Sequence, residues 1–257
     1  MNRFAGLLAP TLFVAAILGV WEAACRLFSV PPYFLPAPSA IVVALARHAP
    51  LLFVSAARTL ATALTAFGLV CVVAGVTALA AASSPTVERA FRPVAIGLQV
   101  TPVVALAPLF VIWAGVEHPE RAVIALAAIV AFFPIYSGAL AGLKSADPEL
   151  ERLFDLYEAS PWQRLARLRV PSSAPHVLEG LKVGLGLALV GAVIAELAAG
   201  SGGSEGLAWR ISEASHRLEI AQSFAALAAL IFLAAGLHLL FQAAERAALG
   251  WWKGGPR

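Results

Sequence analysis

The stretch KSADPELERLFDLYEASPWQRLARLRVPSSAPH, at residues 144–176, is the longest polar segment of the chain. Soon after it comes VGLGLALVGAVIA, at residues 183–195, which contains no ionised residue. An apolar run of this kind with a polar flank is typical of a helix that crosses a membrane. The fold therefore depends on how many such runs the chain has and on what the polar segment does.

The composition supports a membrane protein. Of 257 residues, 60% are hydrophobic and only 13% are charged, and the mean hydropathy is +0.84. A soluble domain is about a quarter charged, so the composition excludes a disordered chain, a disulfide scaffold and most soluble enzymes. The net charge of +3 is ordinary for a membrane protein and indicates no nucleic-acid partner. Cys25 and Cys71 lie among apolar residues and are interpreted as core residues.

Six runs between ionised residues are each long enough to cross a lipid bilayer, which takes roughly 20 residues. They lie between Arg3 and Glu22, Arg58 and Glu88, Arg92 and Glu117, Arg121 and Lys144, Lys182 and Glu205 (interrupted by Glu196), and Glu219 and Glu245. The first has the shape of a signal peptide, but no small-x-small cleavage site follows it, so we interpret it as an uncleaved anchor. We therefore predict an all-α membrane protein with six transmembrane helices.

A seventh run, between Arg26 and Arg47, contains four prolines. Proline lacks a backbone N–H and disrupts helices, so we predict a loop here. Ser39 is predicted to be the N-cap of a short helix that leads to the second span.

The basic residues are distributed unequally between the two sides that six spans create. With the N-terminus inside, twelve of the 18 lysines and arginines fall on the cytoplasmic side. Because cytoplasmic loops are enriched in basic residues, this bias predicts that both termini are cytoplasmic. The 144–176 segment is then cytoplasmic as well.

Local patterns in the polar segment predict two short helices. Asp147 and Pro148 have the residue types of an N-cap and a first helical position. Ser160 and Gln163 have the spacing of a capping box. In the second helix, Arg164 and Arg167 are predicted to share the side opposite Trp162. Pro171 and Pro175 are predicted to end this helix. The alternative is a solvated linker with the positive charges expected on the cytoplasmic side.

Together with this segment, several motifs carry a family resemblance. They are LPAPSA (35–40), TPVVALAPLFVIWAG (101–115) and DPELERLFDLYEASPWQRLARLRVPSSAPHVLEGLKVGLGLALVGAVIAE (147–196). The chain resembles the permease subunits of binding-protein-dependent ABC importers, and within them the nitrate/sulfonate/taurine group, which includes permeases for thiamine-precursor pyrimidines. The likeness extends from the first span to about Arg246.

The resemblance implies a type I importer permease in the bacterial inner (plasma) membrane, surrounded by the lipid bilayer. It implies three protein partners: a cytoplasmic ATPase that binds the ATP, a periplasmic substrate-binding protein, and a second permease copy. No cofactor is expected on this chain. It also implies an N-terminal helix with the proline-rich loop at 1–56, a permease core at 57–246 that contains the coupling loop 144–176, and a cytoplasmic tail at 247–257.

In this family the coupling loop carries a Glu-Ala-Ala…Gly…Leu-Pro signature that contacts the ATPase. Aligned from Trp162 and Pro171, the family glycine falls on Glu158, and the Glu-Ala-Ala falls on Arg152, Leu153 and Phe154. Glycine at a helix–helix turn allows positive φ, so Glu158 must either adopt another turn or accept strain. The departure is consistent with an altered ATPase, a heterodimer with a second permease, or a weakly coupled paralogue. The predicted coupling residues are Arg152, Glu158, Ala159, Ser160, Trp162, Gln163, Arg164, Arg167 and Pro171.

The predicted translocation path and gate comprise Gln99, Thr101, Pro102, Glu196 and Gly200. Pro102 interrupts the third span, and a proline there frees backbone carbonyls that need partners or a wet cavity. Glu196 is an acidic residue in an apolar span, and such a residue usually faces a cavity or a partner. It could instead be an interfacial residue capped by the nearby loop, and it could pair with Arg58 or Arg210. Gly200 opens a glycine-rich run that resembles the family's external gating loop.

No catalytic or nucleotide-binding pattern is present in the sequence. The glycine-rich run lacks the Gly-Lys-Ser/Thr of a P-loop, and the five histidines are scattered. We therefore expect no enzyme activity on this chain. A secondary transporter and a non-transporting scaffold or degenerate paralogue remain as alternatives. A secondary transporter would need paired intramembrane charges or inverted repeats.

Overall fold

A computed structural model of the protein describes residues 3–115, 118–199 and 205–252, and within these ranges all regular structure is helical. The helices are α1 (Arg3–Leu27), α2 (Pro38–Arg47), α3 (Ala49–Ser83), α4 (Pro85–Val100), α5 (Val103–Ala114), α6 (Pro119–Leu143), α7 (Pro148–Leu156), α8 (Pro161–Arg164), a π-helical segment (Leu165–Arg169), α9 (Val170–Ala199), α10 (Leu207–His216) and α11 (Ile220–Trp252). The predicted all-α class is confirmed.

Four of the described helices are long and apolar enough to cross a membrane by themselves. They are α3, α6, the continuous helix from Pro161 to Ala198, and α11. Each overlaps one of the predicted spans. α1 contains another, and its 25 residues correspond to about 37 Å of helix. The exact count of six spans and their orientation stay predictions.

The third predicted span is not one helix. α4 and α5 meet at a bend of 98°. The break falls at Thr101 and Pro102, where Thr101 is extended, with φ −68° and ψ 126°. A residue before proline is driven out of the helical region by the proline ring. The Thr101 hydroxyl donates to the Gly97 carbonyl at 2.6 Å, which satisfies an acceptor at the helix end.

The backbone contacts divide the chain into two compact units. Unit 1 comprises Met1–Ala57 and Glu205–Phe232, and unit 2 comprises Arg58–Ser204 and Leu233–Arg257. In unit 2 the main packing is between α6 and α9. The buried residues there are mostly alanines with a few leucines, valines and aromatics. Small side chains allow helix backbones to approach closely, as is common in membranes.

The close approach of α6 and α9 requires glycine at particular positions. A Cβ atom on Gly180 would lie 2.8 Å from the Pro134 carbonyl oxygen, and one on Gly191 would lie 2.8 Å from the Ala127 Cα. A Cβ atom on Gly184 would overlap the Ile135 side chain, at 2.6 Å from its Cδ1 atom. Gly184 and Gly191 therefore lie in the close contact with α6, whereas Gly186 has open space where a Cβ would be.

In unit 1 the proline-rich run forms the predicted loop and then α2, but Ser39 is not its N-cap. The N-cap is Ala37 and Pro38 is the first helical residue. The first turn is capped from another helix, because the Glu22 carboxylate accepts from the Ser39 N–H at 3.0 Å and from its hydroxyl at 2.8 Å. Pro38 suits the first helical position because its φ is already helical and it has no N–H to satisfy.

Candidate functional site

The polar segment begins with α7, and its start follows the prediction. The Asp147 carboxylate accepts from the Glu149 N–H at 2.8 Å, and Pro148 is the first helical residue. Glu149 and Glu151 lie in the first turn, where negative charge interacts favourably with the helix dipole. The two-residue signal in the sequence was therefore sufficient to locate this helix start.

α7 ends in a Schellman turn with Glu158 in the left-handed region. The Ala159 N–H donates to the Phe154 carbonyl and the Glu158 N–H to the Asp155 carbonyl, both at 3.0 Å. Glu158 has φ +49°, the conformation that glycine normally supplies at this position. Of the two outcomes predicted for Glu158, the structure therefore shows the strained one.

Replacing Glu158 with glycine is expected to stabilise this turn by about 1 kcal/mol, the usual cost of a side chain in the left-handed region. Hydrogen exchange of the amides that close the turn, those of Glu158 and Ala159, measures the effect as slower exchange. Glu158→Ala is the matched control because it removes the carboxylate but keeps the Cβ atom. Equal protection in the glycine and alanine variants would show that backbone strain is not the cause.

The capping box at Ser160 is also confirmed. The Gln163 N–H donates to the Ser160 hydroxyl at 3.3 Å, and the Ser160 N–H donates to the Gln163 side chain at 2.9 Å. We predicted that the helix that starts here would end at Pro171 and Pro175, and this prediction is wrong. The helix passes through the π-helical segment into α9 as one helix from Pro161 to Ala198.

The π-helical segment explains why Pro171 is tolerated. The Val170 N–H donates to the carbonyl of Leu165, five residues earlier instead of four. This wider turn changes the hydrogen-bond register immediately before Pro171, which has no N–H to donate. The second predicted short helix is therefore the first turn of a helix that is long and apolar enough to cross a membrane.

Ion pairs hold α7 against the beginning of this long helix. Glu151 accepts from Arg164 at 3.2 Å and from Arg169 at 2.8 Å, and Arg164 also binds Asp155. Arg164 and Arg167 were predicted to share one side, but only Arg164 turns toward α7. Among the described residues Arg167 is exposed and has no ion-pair partner.

The outer face of the polar segment exposes large apolar side chains. Leu156, Tyr157 and Trp162 are 81%, 79% and 73% exposed. A groove of about 270 Å³ between α7 and α8 is lined by Leu153, Phe154, Tyr157, Ala159, Gln163 and Arg167. Exposed apolar surface of this kind makes the segment a candidate interaction site.

The residues predicted for the translocation path lie in different environments. Glu196 on α9 is 1% exposed and accepts a hydrogen bond at 2.9 Å from the Thr59 hydroxyl on α3, which is 0% exposed. Gln99 and Pro102 are exposed at the α4–α5 bend. Gly200 lies outside the described residues. Arg210, one of the two partners suggested for Glu196, binds Ser55, Glu205 and Glu213 within unit 1.

Thr59 and Glu151 were missed by the sequence reasoning. Thr59 is one of several threonines in an apolar helix, and the others described in α3 bond to carbonyls of their own helix. Nothing local distinguishes Thr59 from them, because its partner is 137 residues away. Glu151 could have been found from its position in the first turn of α7 near two arginines.

No group of His, Cys, Asp and Glu residues in the described ranges could hold a metal ion.

The family model described as "Binding-protein-dependent transport system inner membrane component" matches residues 71–247. A formylaminopyrimidine transport permease protein, ThiX, of Halalkalibacterium halodurans is 35% identical over 210 residues, covering 81% of this chain and 82% of that protein. A taurine transport system permease protein, TauC, of Escherichia coli is 31% identical, covering 93% and 87%. A riboflavin transport system permease protein, RibX, of Chloroflexus aurantiacus is 30% identical, covering 91% and 87%.

Proposed function

This chain belongs to the family of binding-protein-dependent transport system inner membrane components, and we propose that it forms one half of the path by which a small solute crosses the membrane. Like the other members of its family, it is a multi-pass inner-membrane protein. It is a transport component and not an enzyme. Its family works with a substrate-binding protein and an ATPase. The finer assignments of substrate, dimer and site residues are proposals.

The proposed substrate is a small polar solute of the classes carried by the group, which are sulfonates, taurine, nitrate or thiamine-precursor pyrimidines. Relatives at similar identity are named for a formylaminopyrimidine, taurine and riboflavin. Sequence identity to these relatives therefore supports the transport role, whereas the transported solute must be identified by experiment. The core at 57–246 would enclose the path together with a second permease, identical or different.

The observation that carries the proposed mechanism is the continuity of the helix from Pro161 to Ala198. Its first turn is the capped and exposed Ser160–Gln163 turn, and Glu196 lies near its other end. A helix of 38 residues corresponds to about 57 Å. A displacement that an ATPase imposes at Trp162 would therefore reach Glu196 through one rigid element. We propose that this helix converts ATPase closure into movement of the gate.

The proposed coupling residues surround that first turn. Trp162, Glu158 and Arg167 would contact the ATPase directly because they are exposed. Ser160, Gln163 and Arg164 would position them through the capping box and the ion pairs, and Ala159 and Pro171 through the backbone. Arg152, which pairs with Glu149 at 2.9 Å, lies at the edge of this surface. The segment would face the cytoplasm.

The proposed translocation path or its outer gate would be lined by Glu196, Gln99, Thr101, Pro102 and Gly200.

Substituting Trp162 with alanine is expected to reduce ATP-driven uptake by about tenfold or more, as loss of an aromatic anchor does at an interface. The protein should still insert and fold, because the indole is exposed and supports no buried core. Uptake into proteoliposomes with the ATPase and the binding protein measures this. Trp162→Phe is the control and should keep at least half the rate. Unchanged uptake in Trp162→Ala would argue that the segment is only a linker.

The proposed function as a whole is tested by reconstituting the chain with its candidate ATPase and binding protein. ATP hydrolysis should rise when the binding protein is loaded with its solute and fall back when it is empty. Taurine, a formylaminopyrimidine and riboflavin are the first solutes to load. If hydrolysis is never dependent on a loaded binding protein, the chain is not a working importer subunit, and a scaffold or secondary transporter is favoured instead.

A further inference from the structure

The carboxylate of Glu158 has no partner within the described part of the chain. Its side chain is exposed at the turn between α7 and α8, and no ion pair or hydrogen bond of its carboxylate is found there. The acidic residues of α7 itself differ in this respect: Glu149 binds Arg152, Glu151 binds Arg164 and Arg169, and Asp155 binds Arg164. The negative charge of Glu158 is therefore available to another molecule.

Glu158 also carries its charged side chain at a backbone position where any side chain raises the energy of the turn. Its φ of +49° is the conformation that glycine adopts without strain. Residues held in such conformations cluster at functional sites. Nothing in the packing of the turn needs the carboxylate, since the Schellman hydrogen bonds are made by the backbone. The fold therefore does not require this side chain, which leaves it free to contact another molecule.

The surroundings determine which contact is possible. The neighbouring Leu156 and Tyr157 are exposed and apolar, so a protein that docks here would remove water from the carboxylate. A charge that loses water without gaining a partner weakens binding, whereas one that meets an opposite charge favours it. Arg167, in the adjacent groove, is also exposed without an ion pair among the described residues. Within the described ranges, Glu158 and Arg167 thus give this surface an unpaired anion and an unpaired cation.

We propose that the ATPase surface that docks here carries a basic side chain opposite Glu158 and an acidic side chain opposite Arg167. This inference rests on the proposed function, since it assumes that an ATPase is the partner. It means that partner choice depends on a two-charge pattern set on an apolar surface. An ATPase that lacks this pattern would meet two unpaired charges and be rejected.

The test measures the affinity of the purified ATPase for the full-length permease in lipid nanodiscs, by biolayer interferometry at low and high salt. Glu158→Gln and Arg167→Gln should each weaken binding by about tenfold at low salt, the effect of losing one close charge pair at an interface. Glu158→Asp should stay within about twofold, because it keeps the charge. Glu149→Gln, on the same helix, is the matched control, since Arg152 already neutralises that carboxylate.

The outcomes separate the two proposals. If Glu158→Gln and Arg167→Gln bind as tightly as the wild type while the wild-type complex transports, the charge pattern is wrong and the proposed function stands. If Glu149→Gln weakens binding as much as Glu158→Gln, the effect is general attraction of charges and the inference also fails. If the wild-type permease binds no ATPase and shows no ATP-driven uptake, the proposed function itself fails.

Discussion

Replacing Gly180 with alanine is expected to destabilise the protein by about 2–3 kcal/mol, as overpacking of a tight core does. The new Cβ atom would lie 2.8 Å from the Pro134 carbonyl oxygen and 3.1 Å from the Gly138 Cα. Both neighbours are backbone atoms of α6 and cannot rotate away, so α6 and α9 would have to separate. This is the most extensive helix contact in unit 2, and its loss would loosen the core around it.

Gly186→Ala provides the matched control on the same helix. Gly186 has no atom within 4 Å of the Cβ position, so the variant should be unchanged or more stable by up to about 1 kcal/mol through helix propensity. Thermal unfolding of the purified proteins in one detergent measures both variants. Equal melting temperatures for Gly180→Ala and the wild type would mean that the close approach of α6 and α9 is not required.

Replacing Glu196 with alanine is expected to lower stability by about 2–4 kcal/mol, through the cavity and the lost hydrogen bond. The side chain is almost fully buried, and the Thr59 hydroxyl donates to it at 2.9 Å. Uptake is expected to fall at least about tenfold beyond any loss of protein, because buried ionisable residues in spans are usually functional. Melting in detergent gives the first effect, and uptake per folded molecule gives the second.

Two further variants separate the structural from the gating role of Glu196. Glu196→Gln keeps an oxygen that accepts from Thr59 and removes the charge, so it should be more stable than Glu196→Ala. Reduced uptake in this variant would support a gating charge, and normal uptake would argue for a purely structural carboxyl.

The contribution of Thr59 to this hydrogen bond can be tested with two threonine-to-valine variants of α3. Thr59→Val should destabilise by about 1–2 kcal/mol, because it removes the donor and keeps the shape. Thr65 lies on the same helix, is exposed and bonds to the carbonyl of Ala61, so Thr65→Val should have little effect. Equal stability of Thr59→Val and Thr65→Val would show that the buried hydrogen bond contributes nothing.

The parts of the candidate site that were predictable are those set by neighbours in the chain. The caps at Asp147 and Ser160 involve partners two or three residues away, and both have the predicted hydrogen bonds. Glu158 is similar, because the family glycine that aligns with it indicated a left-handed residue, and its turn is closed by hydrogen bonds between residues three and five apart. The helix end predicted at Pro171 was wrong, since a π-helical turn absorbs the missing donor. Proline restricts a helix locally, but the chain can shift its hydrogen-bond register.

The sequence by itself determined the all-helical membrane fold, the caps of the polar segment and the family, because apolar periodicity and capping act over a few residues. Only the tertiary structure decided that Thr59 meets Glu196, that Gly180 is tightly packed while Gly186 is open, and that Arg164 faces α7 while Arg167 does not. These outcomes depend on which helix lies opposite each residue. The polar segment at 144–176 illustrates both: its helix starts are local, whereas its continuity with α9 and its ion pairs exist only in the folded chain.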